Sequence, residues 1–234
     1  YRHPALLANA MVAIDQLSGG RATFGIGAGW LRHEYDVHGL EYGTAQQRLR
    51  KLEESLRCVR SLLRDESTTV DGEFFHLDDA RCVPKPVQER LPIWVGGGGE
   101  QVTLRICAQW ADGWNVPFIT PSDWAHKSRV LDAHCERLGR DPSEITRSVN
   151  VAMAFSEDEL QERFGRLADG VRPTMFTGSV QQMVDHAAAF VEAGAQYIIL
   201  AAEFVAITQI LVYIGAVMVL FLFGTMLTRA RIGA

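Results

Sequence analysis

Pro92-Ile93-Trp94-Val95 is an apolar run too short to be a helix, and it stops in four consecutive glycines, Gly96 to Gly99, before a helical pattern opens near Glu100. The run reads as a buried parallel strand entering a tight turn. Successive glycines let a backbone approach an anion with its N–H groups free, and the following helix points its positive end at the same place, so a phosphate fits there. The same glycines also suit a turn that needs nothing more than close strand-to-helix packing.

A second stretch has the same form. Arg21-Ala22-Thr23-Phe24-Gly25-Ile26-Gly27-Ala28-Gly29-Trp30 alternates small and apolar residues and again ends in glycines before a helical segment. Its Gly25, Gly27, Gly29 spacing is not the dinucleotide fingerprint, which needs a glycine three residues after a G-x-G pair. Two strands with glycines at their C-terminal ends point to one pocket at the carboxyl edge of a parallel sheet, lined by Gly27 to Trp30 and by the Gly96 to Gly99 turn.

The rest of the chain repeats the strand-then-helix alternation. A helix is expected over Pro4 to Leu17, closed by Ser18-Gly19-Gly20. Thr44 with Gln47 opens a long crossover helix whose inward stripe is Leu49, Leu52, Leu56, Val59 and Leu63. Thr68 to Leu77, with Asp71-Gly72 at its centre, predicts a small hairpin. Further helices are expected after Gly99, from Thr120 to about Leu138, from Ser156, and from Ser179, the last with Val180, Met183, Val184, Ala187 and Val191 inward. Strands fall near residues 23, 93, 114, 151 and 198. Five βα units are too few to close an eight-stranded barrel, and the chain opens in a helix, so the expected architecture is an N-terminally incomplete, open arc of a TIM-type barrel.

At 234 residues and 47% hydrophobic content the chain can bury a large core, and a net charge of -5 excludes the basic footprint of a nucleic-acid partner. Cys58, Cys82, Cys107 and Cys135 are scattered without metal-ligand spacing, so they read as reduced core thiols and no metal is expected. The start, Tyr1-Arg2-His3-Pro4, has no charged-then-apolar signal architecture, and residues 1–201 are expected to be a cytoplasmic segment. Charge divides the chain: residues 1–203 hold 28 acidic and 21 basic residues, whereas residues 204–234 hold only Arg229 and Arg231. The 25 uncharged residues 204–228 are long enough to cross a bilayer, so a transmembrane helix followed by a basic anchor is expected there, giving a second unit over residues 202–234.

In order and spacing, Ser18-Gly19-Gly20-Arg21, Gly25 to Trp30 with Glu34, Gly72-Glu73-Phe74-Phe75, Pro84-Lys85-Pro86, Pro92 to Gly99 and Ala111-Asp112-Gly113-Trp114-Asn115 resemble the bacterial luciferase-like monooxygenase superfamily, in particular its deazaflavin-dependent oxidoreductases. The resemblance covers about residues 1 to 200. It implies a TIM-type barrel, hydride transfer between coenzyme F-420 (8-hydroxy-5-deazaflavin) and a small-molecule substrate, with FMN as the alternative cofactor, and a phosphate-binding loop matching Gly96, Gly97, Gly98, Gly99 and Glu100. Gly27, Gly29, Trp30 and Trp114, just beyond or at strand ends, complete the expected cofactor-binding set, with Glu34 as a further pocket residue. Some members carry a glutamate where Trp30 stands. No catalytic base is assignable: His33 and His38 lie near the pocket, and the other histidines read as surface or packing residues.

Residues 202 to 223 are similar to a membrane helix of NADH-quinone oxidoreductase subunit J of respiratory complex I. This implies an alternative, a complex I membrane subunit joined to a luciferase-like segment, with complex I partners if the tail is native. A tail-anchored flavoenzyme is a third reading. The orientation set by Arg229 and Arg231 would demand export of a segment that reads as cytosolic, so a chimeric chain with weak cofactor binding is expected.

Overall fold

The computed structural model of the chain describes residues 2–201. Helix α1 (Pro4–Ser18) begins on His3, whose ring accepts from the Ala5 amide, and ends on Gly19 in the left-handed conformation at φ 65°. Strand β1 (Phe24–Gly27), the short α2 (Arg32–Val37) and the long α3 (Ala45–Arg64) follow, α3 opening on a Thr44–Gln47 capping box. Leu52, Leu56 and Val59 of α3 are buried as the stripe requires, joined by Cys58 and Leu62. Strands β2 (Thr68–Asp71) and β3 (His76–Ala80) form the expected antiparallel hairpin, and the Glu54 carboxylate of α3 accepts from the Glu73, Phe74 and Phe75 amides to hold its turn.

The strand–helix alternation resumes with β4 (Ile93–Gly96), α4 (Thr103–Trp110), β5 (Gly113–Pro117), α5 (Pro121–Arg137), β6 (Thr146–Ala152), α6 (Glu157–Phe164), α7 (Ala168–Val171), α8 (Val180–Glu192) and β7 (Tyr197–Ala201). Five strands pair in parallel in the order β1-β4-β5-β6-β7, and among the described residues β1 has a partner on one side only. The open parallel arc expected from the strand count is therefore what forms. Strands β4 and β7 are three steps apart, about 14 Å on a flat sheet. Yet the Trp94 and Tyr197 ring centroids are 5.9 Å apart, so the sheet curls and both rings lie on its concave face.

Strand residues divide by parity between two environments. Phe24, Ile93, Val95, Trp114, Val116, Val149 and Val151 face the helices and are buried with Leu56, Leu104, Ile106, Trp124 and Leu131. Gly25, Gly27, Trp94, Gly96, Asn115, Ser148 and Asn150 take the other face. At the N-terminal edge Asp112 accepts from the Ile93 amide at 2.8 Å and pairs with Arg60 and Arg90. Near α1 the fully buried Asp15 carboxylate accepts from the Val87 and Gln88 amides and the Gln88 side chain at 2.7–3.1 Å, fixing the proline-stiffened approach to β4.

Two expectations are corrected. The helix opening at Val180 does not turn its valines inward: Val180, Val184 and Val191 are exposed and Phe190 is the buried contact, with Met183 and Ala187 packed partly against the core. The transmembrane helix and the membrane localisation drawn from it are also not sustained: among the described residues no helix is long and apolar enough to cross a membrane. Residues 204–228, on which that expectation rested, lie outside the described residues.

Asp112→Ala leaves Arg60 and Arg90 without their carboxylate and should lower unfolding stability by about 3 kcal/mol in a urea titration. Asp15 gives a pH-dependent counterpart. Burial raises its pKa, but the hydrogen bonds from Gln88 and Val87 outweigh burial and hold it below the ordinary carboxylate value. A depressed folded value means that the contribution is complete above the unfolded pKa, about 3.9, and is lost as pH falls through the folded one. The stability gap between wild type and Asp15→Asn should accordingly be widest near pH 6 and shrink below pH 3; a gap that grows on acidification would contradict this.

Candidate cofactor site

Strands β1 and β4 end side by side, with Gly27 in register with Gly96. On the concave face this leaves a strip of bare backbone. A Cβ on Gly25 would meet nothing within 4 Å, and those on Gly27 and Gly96 would meet only carbonyl oxygens, at 3.4 and 3.8 Å. Farther along the face Asn115 donates to Ser148 Oγ at 2.9 Å, and that hydroxyl donates to the Trp114 carbonyl at 3.0 Å.

The turn after β4 is anchored by its carbonyls. Trp114 Nε1 donates to Gly97 O at 2.8 Å, Lys127 Nζ to Gly98 O at 2.9 Å, and His134 Nε2 pairs with Glu100 O at 2.8 Å. A planar trans peptide points its N–H opposite its C=O, so the Gly98, Gly99 and Gln101 amides turn away from the Trp114, Lys127 and His134 donors. None of the three has an acceptor among the described residues. Helix α4 begins there on Val102 without a side-chain cap, adding the positive end of its dipole. Gly97 sits at φ 129°, and a Cβ on Gly99 would come within 2.8 Å of Thr103 Oγ1. The turn thus needs glycine for its packing and, separately, presents amides that an anion can accept.

Glu100, expected in the phosphate loop, accepts from Lys127 at 2.9 Å and lies 3.4 Å from His126 Nε2. The Lys127 ammonium, with a smaller contribution from His126, holds its pKa below the usual carboxylate range. It borders a cavity of about 340 Å³ with Pro117, Phe118, Thr120 and Lys127. A larger cavity, about 540 Å³, lies on the β1 side and is lined by Gly25 to Trp30, Glu34, Tyr35, Tyr42 and Arg48. The two glycine segments therefore share the sheet's C-terminal edge on adjacent strands, but they do not line one cleft: Gly25 to Gly29 line the larger cavity, whereas of the second segment only Glu100 borders the smaller one.

The loop over the larger cavity is tied down by its own carbonyls. Tyr35 donates to Ala28 O, Tyr42 to Trp30 O, and Arg48 to Gly29 and Gly43 O, with the guanidinium 3.8 Å from the Tyr42 ring centroid. Gly29 is required here, since at φ 74° any Cβ would overlap the Tyr35 hydroxyl. Trp30 stands at the lip, 73% exposed. Trp114, by contrast, is fully buried, stacked on Trp124 at 5.5 Å, and reaches the site only through its bond to Gly97. Glu34 lines the larger cavity, whereas His33 and His38 do not; His38 Nδ1 pairs with the Glu34 carbonyl on the exposed surface of α2.

The profile of the luciferase-like monooxygenase family matches residues 1–197. The chain belongs to the luciferase-like monooxygenase family. It is 32% identical over 192 residues to an uncharacterised protein of Mycobacterium tuberculosis, covering 81% of this chain and 64% of that protein. It is 32% identical over 162 residues to the F420-dependent glucose-6-phosphate dehydrogenase of Kineococcus radiotolerans, covering 68% of this chain and 47% of the enzyme. The chain thus spans about half to two thirds of the length of these relatives. Among solved structures it resembles an F420-dependent secondary alcohol dehydrogenase in complex with an F420-acetone adduct. The TM-score is 0.75 and the identity 20%, over 84% of this chain and 68% of the other. It also resembles the coenzyme F420-dependent tetrahydromethanopterin reductase of Methanopyrus kandleri, with a TM-score of 0.71 and 18% identity over 86% and 74%. These likenesses establish the TIM-like α/β fold. A second profile, NADH-ubiquinone/plastoquinone oxidoreductase chain 6, matches residues 180–233.

For this luciferase-like chain the sequence reading missed Lys127 and the polar row of Asn115, Ser148 and Asn150. The signal was present for two of them: Ser148 and Asn150 alternate with Val149 and Val151 at the period of a two-faced strand. Lys127 had no signal, because a lysine on a helix looks solvated until the turn opposite is placed. The bare strip gives a direct prediction. Gly25→Leu should leave the thermal midpoint within a few degrees of wild type, whereas Gly99→Leu, pressed against Thr103, should lower it by roughly 5 °C or more. Equal losses in a melting experiment would mean that Gly25 faces packed structure.

Proposed function

We propose that this chain binds coenzyme F420 at the C-terminal edge of its sheet and serves an F420-dependent oxidoreductase acting on a small organic substrate. The observation that carries the reading is the Gly97–Gln101 turn, whose Gly97, Gly98 and Glu100 carbonyls are bonded to Trp114, Lys127 and His134 while its Gly98, Gly99 and Gln101 amides face outward beside the strip of Gly25, Gly27 and Gly96. An anionic side arm and a planar ring need those two surfaces next to each other. The F420-dependent relatives support the choice of this cofactor over FMN, which would offer the same two features. When bound, the deazaflavin supplies a ring carbon that gives or accepts hydride.

The protein's own part is binding and exclusion of water. The Gly98, Gly99 and Gln101 amides hold the phosphate, and Lys127, ion-paired with Glu100, fixes the turn through Gly98 O. The Tyr35, Tyr42 and Arg48 scaffold fixes the loop that bears Trp30 at the rim of the larger cavity. Glu34 and Glu41, on that cavity's wall, are the acidic groups placed to meet a polar substrate. Against a complex I membrane subunit stands the described part of the second profile's match: residues 180–201 form α8 and β7, and β7 pairs along its length with β6 as part of the parallel sheet.

Calorimetric titration of the full chain with F420 tests the reading. Measurable binding is expected, weakened at least tenfold (about 1.4 kcal/mol) by Gly25→Leu, with the melting temperature of that variant near wild type. Absence of binding, or indifference to Gly25→Leu, would overturn it.

A further inference from the structure

Each carbonyl of the glycine turn has its own partner. Gly97 O accepts from the Trp114 indole at 2.8 Å, Gly98 O from Lys127 Nζ at 2.9 Å and Gly99 O from the Leu104 amide at 3.0 Å, while Glu100 O is paired with His134 Nε2 at 2.8 Å. The first three partners also serve elsewhere: Trp114 is stacked in the core, Lys127 holds the Glu100 carboxylate, and Leu104 belongs to α4. His134 does not. Half-buried on α5, its ring makes this one hydrogen bond and no ion pair among the described residues. A carbonyl oxygen only accepts, so Nε2 carries the proton. Lys127 and His134 stand about two helical turns apart, and one face of α5 thereby holds the peptides after Gly98 and Glu100.

We infer that His134 is a positioning residue for the cofactor's phosphate, its Nε2–H fixing the Glu100–Gln101 peptide so that the Gln101 amide faces the anion. The inference rests on the F420 reading above and deepens it, since it names the side chain on which one of the phosphate-holding amides depends. Gly96 to Gly99 have no side chains to restrain the turn, so its peptides keep their direction only through donors from outside it. In a planar trans peptide Gln101 N–H lies opposite Glu100 O; a carbonyl that loses its donor turns toward water and takes the amide away from the anion with it. Gly99 and Gln101 are exposed, so this side of the turn is open to a ligand, and His134 acts from the other side through the peptide.

Two substitutions separate the hydrogen bond from the packing of the ring. His134→Gln keeps an N–H donor where Nε2 stands, and His134→Leu keeps an apolar side chain with no donor. The full chain, as wild type and as each variant, is titrated calorimetrically with F420 and with the same deazaflavin on its ribityl chain but without the phosphate arm, and each protein is melted without ligand. His134→Leu should weaken F420 binding about fivefold or more and leave the affinity for the phosphate-free ligand close to wild type. His134→Gln should bring F420 binding back to near the wild-type value. Nitrogen NMR of the wild type should show His134 as the Nε2-protonated tautomer, a readout that needs no variant.

Equal losses for the two ligands in His134→Leu overturn the inference, because a bond that aims an amide at the phosphate has no hold on a ligand without one. Wild-type F420 affinity in His134→Leu, failure of His134→Gln to restore binding, or an Nδ1-protonated ring also overturns it. So does a His134→Leu chain that fails to fold, since the ring then serves the fold, and so does a wild type that binds both ligands equally tightly, since the turn then holds no phosphate. All of these leave the F420 reading in place. If wild type binds neither ligand, that reading falls and this inference with it.

Discussion

Asp112 fixes the N-terminal edge of the sheet, and the geometry at the other edge depends on it. Its carboxylate accepts from the Ile93 amide and from Arg90, and pairs with Arg60, which also donates to the Trp110 carbonyl; its own amide donates to Ile93 O at 2.7 Å. One side chain thus joins α3, the approach to β4, the end of α4 and the start of β5. The β4–β5 register of Trp94 with Gly113 is set at this point. A slip of one residue would exchange the two faces of the strand, sending Trp94 into the helix layer and Val95 into the concave face. Gly96 and Asn115, the next concave-face pair in that register, sit at the C-terminal edge because the strands are pinned below them.

The two faces of the sheet are built from different chemistry, and each explains the other. The helix-facing side is closed by large apolar groups, with Trp114 stacked on Trp124 and its indole N–H spent on Gly97 O. That bond is the link between core and turn: a fully buried residue orients the first peptide of the glycine turn. Lys127 and His134 do the same from α5 for the peptides that follow. The turn's free amides are therefore a consequence of core packing, which orients them before any ligand arrives and so lowers the cost of binding.

Much of this was legible from residues alone, for identifiable reasons. The five parallel strands, the hairpin, the capping boxes at Thr44 and Ser179 and the glycine endings follow from local rules of period and turn chemistry, and they formed. Trp114 was read as a pocket residue because it stands near a strand end, but parity along Gly113–Pro117 sends it to the helix side, and parity is fixed only once the register with Trp94 is known. The α8 valines fail for a related reason. Val180, Val184 and Val191 occupy one helix face by spacing, yet Phe190, Met183 and Ala187 cover the core, and two apolar faces on one helix cannot be ranked from sequence. Lys127 and His134 became readable only when α5 was placed across from the turn.

The concave face also decides at which end a ligand can sit. Trp94 and Tyr197 meet across the curl, and no Cβ fits on Gly113 beneath Trp94, because the indole already occupies that space. The lower part of the face is thus filled by Trp94, with Tyr197 leaning on it from the row of Ser148. Above Trp94 the side chains shrink to glycine at positions 27 and 96 and turn polar at Asn115, Ser148 and Asn150. A planar molecule entering from the N-terminal side would have to displace the Trp94 ring; one entering from the C-terminal side meets bare backbone, hydrogen-bonding groups and the outward amides of the glycine turn. The aromatic plug below and the small and polar residues above are both set by strand parity. The same alternation that buries the apolar face against the helices therefore places the glycine strip and the polar row at the carboxyl ends of the strands.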